Sequence, residues 1–416
     1  MKKHYLIIGA LYSHSALAGG LFLYEIATPD AGLSAAGLVA RAQDASTAQS
    51  NPAGMTHLKG NHIMIGSQLM TTNFGFDIGP QTTTEGNNGG NPAGILPALS
   101  AFYVRSLTDD LRCGLALYGN FGSILRYDEE WVGRYRVQKT HLLGLTMSPS
   151  LGYRVSPMWS VGAGLNVMYT FFGIQTAINT PVGPGDGELK LHDNQLGLGG
   201  QLSFLFEPSH CTRFGLVYNS AMKLNFNAVP EFSNLGVLRP VLESQGLLDA
   251  DLALHMTVPQ TLMLSLFHDL NARWAVLSSV GWQNWSQFGR VGVELDSVNS
   301  RSLTVNHNYK DTWHGSVGFQ YKTPYAWRLS SGIAYDSSMV DEKNRTPDMP
   351  VSKTWRFGFG AQYPLSCRSS LNFAYTLDWI GDMPINSKGG PLTGNLQGVY
   401  SNTALHFFGI SYQKVL

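Results

Sequence analysis

Glu25 and Asp44 stand in a stretch, Glu25 to Met55, in which Ala, Gly and Ser predominate and no β-strand can be read. A carboxylate enclosed in such company requires a partner, because an ionised group taken out of water without compensation is strongly disfavoured. Arg328 and Arg356, each on the polar face of an alternating run, are the candidate partners. Asp336 shares a face with Arg328, near the outer end of its run, where it would bind a polar head group or hold Arg345 in the next loop. A structural ion pair is the expectation there, and the chemistry open to all these residues is a polar latch. Catalysis has no comparable support. The sequence carries no GxSxG, HExxH, P-loop or metal-ligand cluster, and its twelve His are scattered singly. Cys113, Cys211 and Cys367 lie outside any CxxC pattern. Their odd count leaves at least one thiol unpaired in an oxidising compartment, whether or not one pair bridges, and idle cysteines are the expectation. No cofactor, metal or enzymatic activity is expected.

The elements that position these residues follow from composition. Of 416 residues 13% are charged, about half the roughly 25% of ordinary soluble chains. Aromatics reach 11% and Gly numbers 46, yet mean hydropathy is −0.06, which excludes a bundle of apolar membrane helices. Low charge, abundant Gly and aromatics, and neutral hydropathy fit a membrane β-barrel, whose strands alternate apolar and polar residues. Zero net charge, with no basic stripe, removes the case for nucleic-acid binding. Lys2 and Lys3, the apolar run Tyr5 to Leu11 and the small-residue Ser15-Ala16-Leu17-Ala18 read as a secretory signal cleaved near Ala18. No later stretch approaches the ~20 apolar residues of a spanning helix. A bacterial envelope protein is the expectation.

Beyond the small-residue stretch, alternation dominates. Trp159, Val161, Ala163, Leu165, Val167 and Tyr169 oppose Ser160, Gly162, Gly164, Asn166 and Met168, and the same period of two recurs in Trp313–Tyr321, Trp355–Tyr363 and Leu371–Trp379. Such sets lie on opposite faces of a sheet. The candidate strands are 62–78, 95–105, 113–120, 140–154, 159–173, 194–206, 213–226, 256–268, 274–285, 312–322, 327–339, 353–364, 371–380 and 402–416. Fourteen is even, as a bacterial single-chain barrel with both ends on one side requires. Short turns alternate with long loops such as 79–94, 174–193, 227–255 and 286–311, and Trp159, Trp274 and Trp327 each open a strand after a short turn, as an aromatic girdle would. A soluble sandwich accounts for none of these regularities. The chain ends on a strand in which Phe408, Ile410 and Tyr412 share a face, although Leu416 stands where such barrels commonly carry an aromatic residue. Ala and Gly bury too little apolar surface to build a core of their own. The stretch at 25–55 therefore reads as a plug packed inside the pore, the alternative being a flexible leader. The expected organisation is a leader over 1–18, a plug over 19–58 and an all-β, 14-stranded antiparallel transmembrane barrel over 59–416.

The chain resembles the FadL family of outer-membrane transporters for hydrophobic compounds. The resemblance runs from Gly19 to Leu416 and rests first on Glu25, Asp44-Ala45 and Asn51-Pro52-Ala53, standing where the family's N-terminal hatch has them. It extends to Trp131-Val-Gly-Arg-Tyr135, Val258-Pro-Gln260, Trp285-Ser-Gln-Phe288 and Gly332-Ile-Ala-Tyr-Asp336. It implies capture of substrate by apolar outer loops, an apolar pocket in the lumen, and lateral release into the membrane through an inward kink of the third strand. Gly119, Asn120, Phe121 and Gly122 are the residues such a kink would involve, since Gly inside a strand marks a kink or bulge; ordinary termination of the strand is the other reading. Asn51, Pro52 and Ala53 are either the hinge of the hatch or a turn leading into the first strand. Val237, Leu238, Val241 and Leu242, at helical spacing in an outer loop, would line a capture groove, or else pack against the loop 174–193. Family members that take long-chain fatty acids hold the carboxylate with basic residues after the fifth strand, and Phe171 to Thr180 contains none. A neutral hydrocarbon is thus as good a candidate as a fatty acid. Asp128-Glu129-Glu130 is a solvated outer run that divalent ions would bridge to lipopolysaccharide. A monomer is expected, and the competing functions are a general porin and a barrel-embedded lipase lacking any visible nucleophile.

Overall fold

The computed structural model describes residues 21–180, 185–244, 246–248, 250–296 and 301–416. The expected leader and its cleavage site lie outside them. Fourteen antiparallel staves close on themselves. In chain order they are β1 (His62–Ile78), β2 (Ile95–Ser106), β3 (Leu111–Arg126), β4 (Lys139–Ser156), β5 (Trp159–Ile178), β6 (Gly187–Ser209), β7 (Thr212–Asn219), β8 (Thr261–Asp269), β9 (Trp274–Gln283), β10 (Thr312–Lys322), β11 (Arg328–Asp336), β12 (Thr354–Ser366), β13 (Ser369–Ser387) and β14 (Leu396–Val415). Each pairs with the next, and β14 pairs with β1, Val415 opposite His62. Closure is what lipid demands, because a strand edge has no water there to bond with.

The direction of the faces decides between membrane and soluble readings. Along β10 Trp313, Val317 and Phe319 are exposed, whereas His314, Ser316 and Gln320 are buried. The apolar face looks outward and the polar face inward, the reverse of a sandwich. At the short-turn end Trp159 stacks on Phe206 at 4.3 Å, Trp274 meets Tyr321 at 4.6 Å and Trp327 meets Tyr363 at 4.8 Å. These pairs form the expected girdle at one interface.

Four neighbouring staves depart from the expected pattern. β7 to β10 each continue, after a break, into a separate four-stranded sheet made of Met222–Ala228, Asp251–Val258, Arg290–Asp296 and Arg301–Asn306. The expected single strand 256–268 breaks at Pro259, which has no N–H to give a ladder. The expected loop 286–311 holds two of these strands, and most of the expected loop 174–193 belongs to β5 and β6. The inner face of the upper sheet carries Leu224, Phe226, Leu254 and Met256 into an apolar core with Leu21, Phe121 and Phe172.

Residues 21–58 fold into two helical turns, Thr28–Ala31 and Thr47–Ser50, and a 3-10 turn, Pro52–His57. Its alanines from Ala27 to Ala53 are almost wholly buried. Partners come from every side of the barrel. Thr376 Oγ1 donates to the Ala31 carbonyl at 2.9 Å, Ser279 Oγ to Ala35 at 2.8 Å, Ser150 Oγ to Ala48 at 3.1 Å and Arg213 Nη2 to Arg41 at 2.9 Å. Irregular backbone away from water needs such donors, and the inward polar faces of β4, β7, β9 and β13 supply them. Small residues let the backbones meet: a Cβ on Gly332 of β11 would lie 1.9 Å from the Leu33 carbonyl oxygen.

Gly332→Leu should therefore lower stability by about 1–3 kcal/mol through overpacking and expose residues 21–58 to protease. Gly315→Leu, on the lipid face with open space around it, should change stability by no more than about 0.5 kcal/mol. Thermal unfolding in detergent and limited proteolysis check both; equal effects of the two would refute the close approach.

Candidate functional site

The barrel wall is incomplete between β2 and β3. Their ladder runs only from Ser106 opposite Arg112 to Ala101 opposite Leu117. Above it Ile95–Ser100 pairs with β1 alone, and β3 from Tyr118 onward pairs with β4 alone. β3 does not end near Gly122. It runs on to Arg126 past a bulge that leaves Asn120 out of register, with Gly122 at φ 135°, a conformation suited to glycine. Two of the backbone groups at the bulge are taken by residues 21–23: Leu23 N–H donates to the Asn120 carbonyl at 2.9 Å and Gly122 N–H to the Leu21 carbonyl at 3.0 Å. Phe22 packs against Phe121 with ring centroids 5.4 Å apart.

Two spaces meet at this gap. On the lipid side lies a recess of about 540 Å³ among Ile65, Leu99, Leu117, Leu145 and Tyr169. Inside the barrel lies a cavity of about 100 Å³ bounded by Phe22, Tyr24, Val39, Asn166, Gln201 and Met263. Tyr118 and Thr146 line both. The cavity also reaches Ser220 and Leu262, where β7 and β8 break.

On the opposite wall Arg356 gathers three carboxylates. Its Nη1 lies 2.6 Å from Glu25 Oε1 and 2.6 Å from Asp378 Oδ2, and its Nε lies 2.6 Å from Asp336 Oδ2. His314 Nδ1 lies 2.8 Å from the other Asp336 oxygen. Strand register produces the cluster, since Arg356 stands opposite Asp378 and His314 opposite Asp336. The Tyr24 ring sits 5.2 Å from the guanidinium, and the Tyr24 hydroxyl oxygen accepts from Gln283 Nε2 at 2.8 Å.

Glu25, Asp336 and Arg356 thus come together as a polar latch requires, and the other expected members do not join them. Asp44 pairs with Arg41 at 2.5 Å, and Asp30 with the same Arg41 at 2.9 Å. Burial pushes the Asp30 carboxyl up to about 6 against the pull of Arg41. Asp44 lies below the usual range, because burial is outweighed there by the Arg41 charge and by bonds from Arg41 and Ser46. A partner three residues away leaves Asp44 no need of Arg328, which donates to Gln43 Oε1 at 3.2 Å. Arg345 does not meet Asp336; it donates to the Val351 and Pro384 carbonyls at 2.8 and 3.0 Å and braces the outer loop on β13. Asn51 uses its side chain fully, donating to Val39 and Phe204 carbonyls and accepting from Gly54 N–H, while Ala53 N–H donates to Ser203 Oγ at 3.0 Å. Pro52 opens the 3-10 turn, where its missing N–H is not needed. In the outer loop Leu242 is buried, Leu238 half-buried, and Val237 and Val241 stand exposed. Asp378, His314 and Arg41 are the residues that sequence reasoning did not single out, although Asp378 and His314 lie on faces it read as polar. All three cysteines are unpaired.

The profile of the outer membrane protein transport proteins (OMPP1/FadL/TodX) matches residues 9–414. The chain belongs to this family. Relatives include the long-chain fatty acid transport protein of Shigella flexneri, 23% identical in an alignment that covers 87% of this chain and 88% of the relative. The 47 kDa outer membrane protein of Pasteurella multocida is 25% identical, spanning 88% of each. Among solved structures, a Pseudomonas aeruginosa FadL homologue superposes with a TM-score of 0.84 over 95% of this chain and 99% of its own, at 20% identity. The Pseudomonas putida toluene transporter TodX gives 0.68 over 95% and 98%, at 16% identity. This FadL-family chain is accordingly an outer-membrane transport protein.

Arg356→Met should cost about 3–5 kcal/mol, because it strands Glu25 and Asp378 as buried carboxylates without a counter-charge and leaves Asp336 with His314 alone. Glu25→Gln, which keeps an acceptor, should cost less. Thermal unfolding of the purified barrel measures both, and a melt of Arg356→Met indistinguishable from wild type would show that the cluster does not hold the interior segment.

Proposed function

We propose that this chain takes up hydrophobic compounds, long-chain fatty acids or aromatic and aliphatic hydrocarbons, and releases them sideways into the outer membrane through the gap between β2 and β3. The observation that carries this reading is the meeting of an interior cavity and a lipid-side recess at Tyr118 and Thr146, beside the bulge of β3 at Asn120. A molecule leaving there passes from cavity to lipid without crossing the aqueous periplasm. The names of the relatives, fatty acid transporters and toluene transporters alike, point to the same class of cargo.

In this scheme the outer helix Arg239–Ser244, with Val237 and Val241 exposed before and within it, offers the first apolar contact. Residues 21–58 act as the hatch. The Glu25–Arg356 pair is its latch, and Asn51-Pro52-Ala53, bonded to β6, is its fixed foot rather than a free hinge. Leu21–Leu23 cover the freed backbone of β3 while the exit is shut. A general porin would be served poorly by an interior so filled.

Deleting Asn120 removes the extra residue of the bulge and allows β2 and β3 to zip further. Uptake of labelled toluene and oleate by cells carrying this variant should fall to the level of cells lacking the protein, with the barrel still folded by heat-modifiable gel mobility. Undiminished uptake would rule out the lateral route. Equal entry into wild-type cells and cells without the protein would defeat the transport reading altogether.

A further inference from the structure

We infer that the outer rim of staves β3 to β6 is a binding site for a phosphate-bearing, multiply acylated lipid of the outer leaflet, the membrane anchor of lipopolysaccharide, with one acyl chain seated in the recess beside the β2–β3 gap. The site lies on the outside of the wall and does not depend on the uptake reading.

Height in the membrane gives the first argument. Trp159 stacks on Phe206 in the lower girdle, and from Trp159 to the exposed Tyr169 β5 climbs about 34 Å along its length. At the tilt of roughly 35–45° usual in such barrels, that is about 26 Å of height, which matches their apolar band of roughly 25 Å. Tyr169 and Phe171, edge to face with centroids 5.0 Å apart, therefore stand at the upper interface. The outward residues above them on β3 to β6 lie among lipid head groups.

Charge gives the second. Strand register sets a row at that level: Arg126 stands opposite Lys139, Lys139 opposite Gln175 and Gln175 opposite Lys190. One step below, His141 and His192 both face Gly173, and the His141 ring lies across that glycine, where a Cβ would be 2.2 Å from its Cε1. The acids of this rim are engaged, Glu188 with Lys190 at 2.6 Å and Glu231 with His192 at 3.8 Å. The acidic run 128–130 lies on the loop beyond β3, with the Asp128 carboxylate against Gly90. Among the described residues no ion pair uses Arg126 or Lys139. Elsewhere the outward rim has the opposite sign, with Asp77 on β1 and Asp382 on β13 exposed. A phosphate head group is drawn to the basic sector, where Arg takes it in forked geometry and Lys as a point charge.

The recess supplies the other half of the site. It lies lower on the same staves, among Leu117, Leu145, Val167 and Leu196, with Leu99 of β2 across the gap. Its volume of about 540 Å³ falls in the range of roughly 300–1,000 Å³ that holds a drug-sized molecule. From His141 to Leu145 is about 14 Å along β4, within reach of one acyl chain. Lipid tails are as apolar as leucine, so the recess draws no chain by the hydrophobic effect. The phosphate contacts supply the affinity, and the recess fixes where the chain lies. Seated there, the chain covers on the lipid side a stretch of wall that strand pairing leaves open.

The test uses the purified full-length protein, freed of lipid, in equilibrium titrations in detergent with four probes: diphosphorylated lipid A, the same lipid after removal of its phosphates, phosphatidylethanolamine and inorganic phosphate. Diphosphorylated lipid A should bind about tenfold or more tighter than each of the others. Arg126→Gln/Lys139→Gln should weaken it about thirtyfold, equivalent to about 2 kcal/mol, in keeping with about 1 kcal/mol per basic group near a lipid surface. Arg273→Gln/Arg368→Gln removes the same charge from exposed residues of two short turns and should leave binding unchanged. Leu145→Trp, which fills the recess, should weaken binding several-fold. Thermal melting checks that each variant folds. Wild type binding lipid A equally with and without phosphates, or binding phosphatidylethanolamine or inorganic phosphate as tightly, would overturn the assignment, and these comparisons need no variant. An affinity unchanged in Arg126→Gln/Lys139→Gln, or falling equally in the short-turn variant, would also overturn it. Unchanged binding in Leu145→Trp would overturn the seating of the chain in the recess.

Discussion

A chain that crosses lipid must pair every backbone N–H and C=O within itself, because the hydrocarbon region holds no water to take them. That constraint closes β14 onto β1, and it also explains the behaviour of the structure where the wall fails to close. β3 leaves β2 after Leu117 and bulges at Asn120. Leu21 and Leu23 then supply the partners that β2 does not, through the Gly122 N–H and the Asn120 carbonyl. In this gap in strand pairing, two of the freed β3 groups, the Asn120 carbonyl and the Gly122 N–H, are taken by the interior segment.

The same constraint accounts for the interior segment. Residues 21–58 have little regular structure, so their carbonyl oxygens must find donors elsewhere. The inward faces of the staves provide hydroxyls and guanidinium groups at Thr376, Ser279, Ser150 and Arg213. Arg356 adds the one direct ion pair between Glu25 and the wall seen among the described residues. With three carboxylates around one guanidinium, and one Asp378 oxygen left without a partner, the cluster is rich in negative charge. Breaking a buried group of this kind is far more costly than its net contribution when intact suggests.

Much of this was legible beforehand, and the reasons differ by element. Staves β1 and β10 have the bounds that alternation predicts, because a period of two over eleven or more residues has few rivals. The upper sheet was missed because its strands are short and interrupted, and a run such as Arg290–Asp296 is too brief to outweigh a loop reading. Glu25 and Arg356 could be matched in advance since a charge in an apolar setting announces its need for a partner. Asp378 and His314 could not be assigned to them, because that depends on which residue of one stave stands opposite which of the next, and alternation is silent on register. Asp44 was misassigned for a related reason: a partner three residues away satisfied it before any distant one was needed.

Position along the chain links the gap to the charge cluster. Leu21 to Leu23 bond to β3, and Tyr24 and Glu25 follow at once, bound to Gln283 and Arg356 on the other side of the lumen. Five consecutive residues thus span from the gap to the cluster, and Phe22, Leu23 and Tyr24 among them line the cavity. Fully extended, five residues reach no more than about 17 Å, and here the chain bends at Tyr24 and turns at Glu25 and Ile26. Phe22 and Tyr24 lie between the two sets of bonds along the chain. The cavity, the gap and the charge cluster are thus joined by one short piece of backbone.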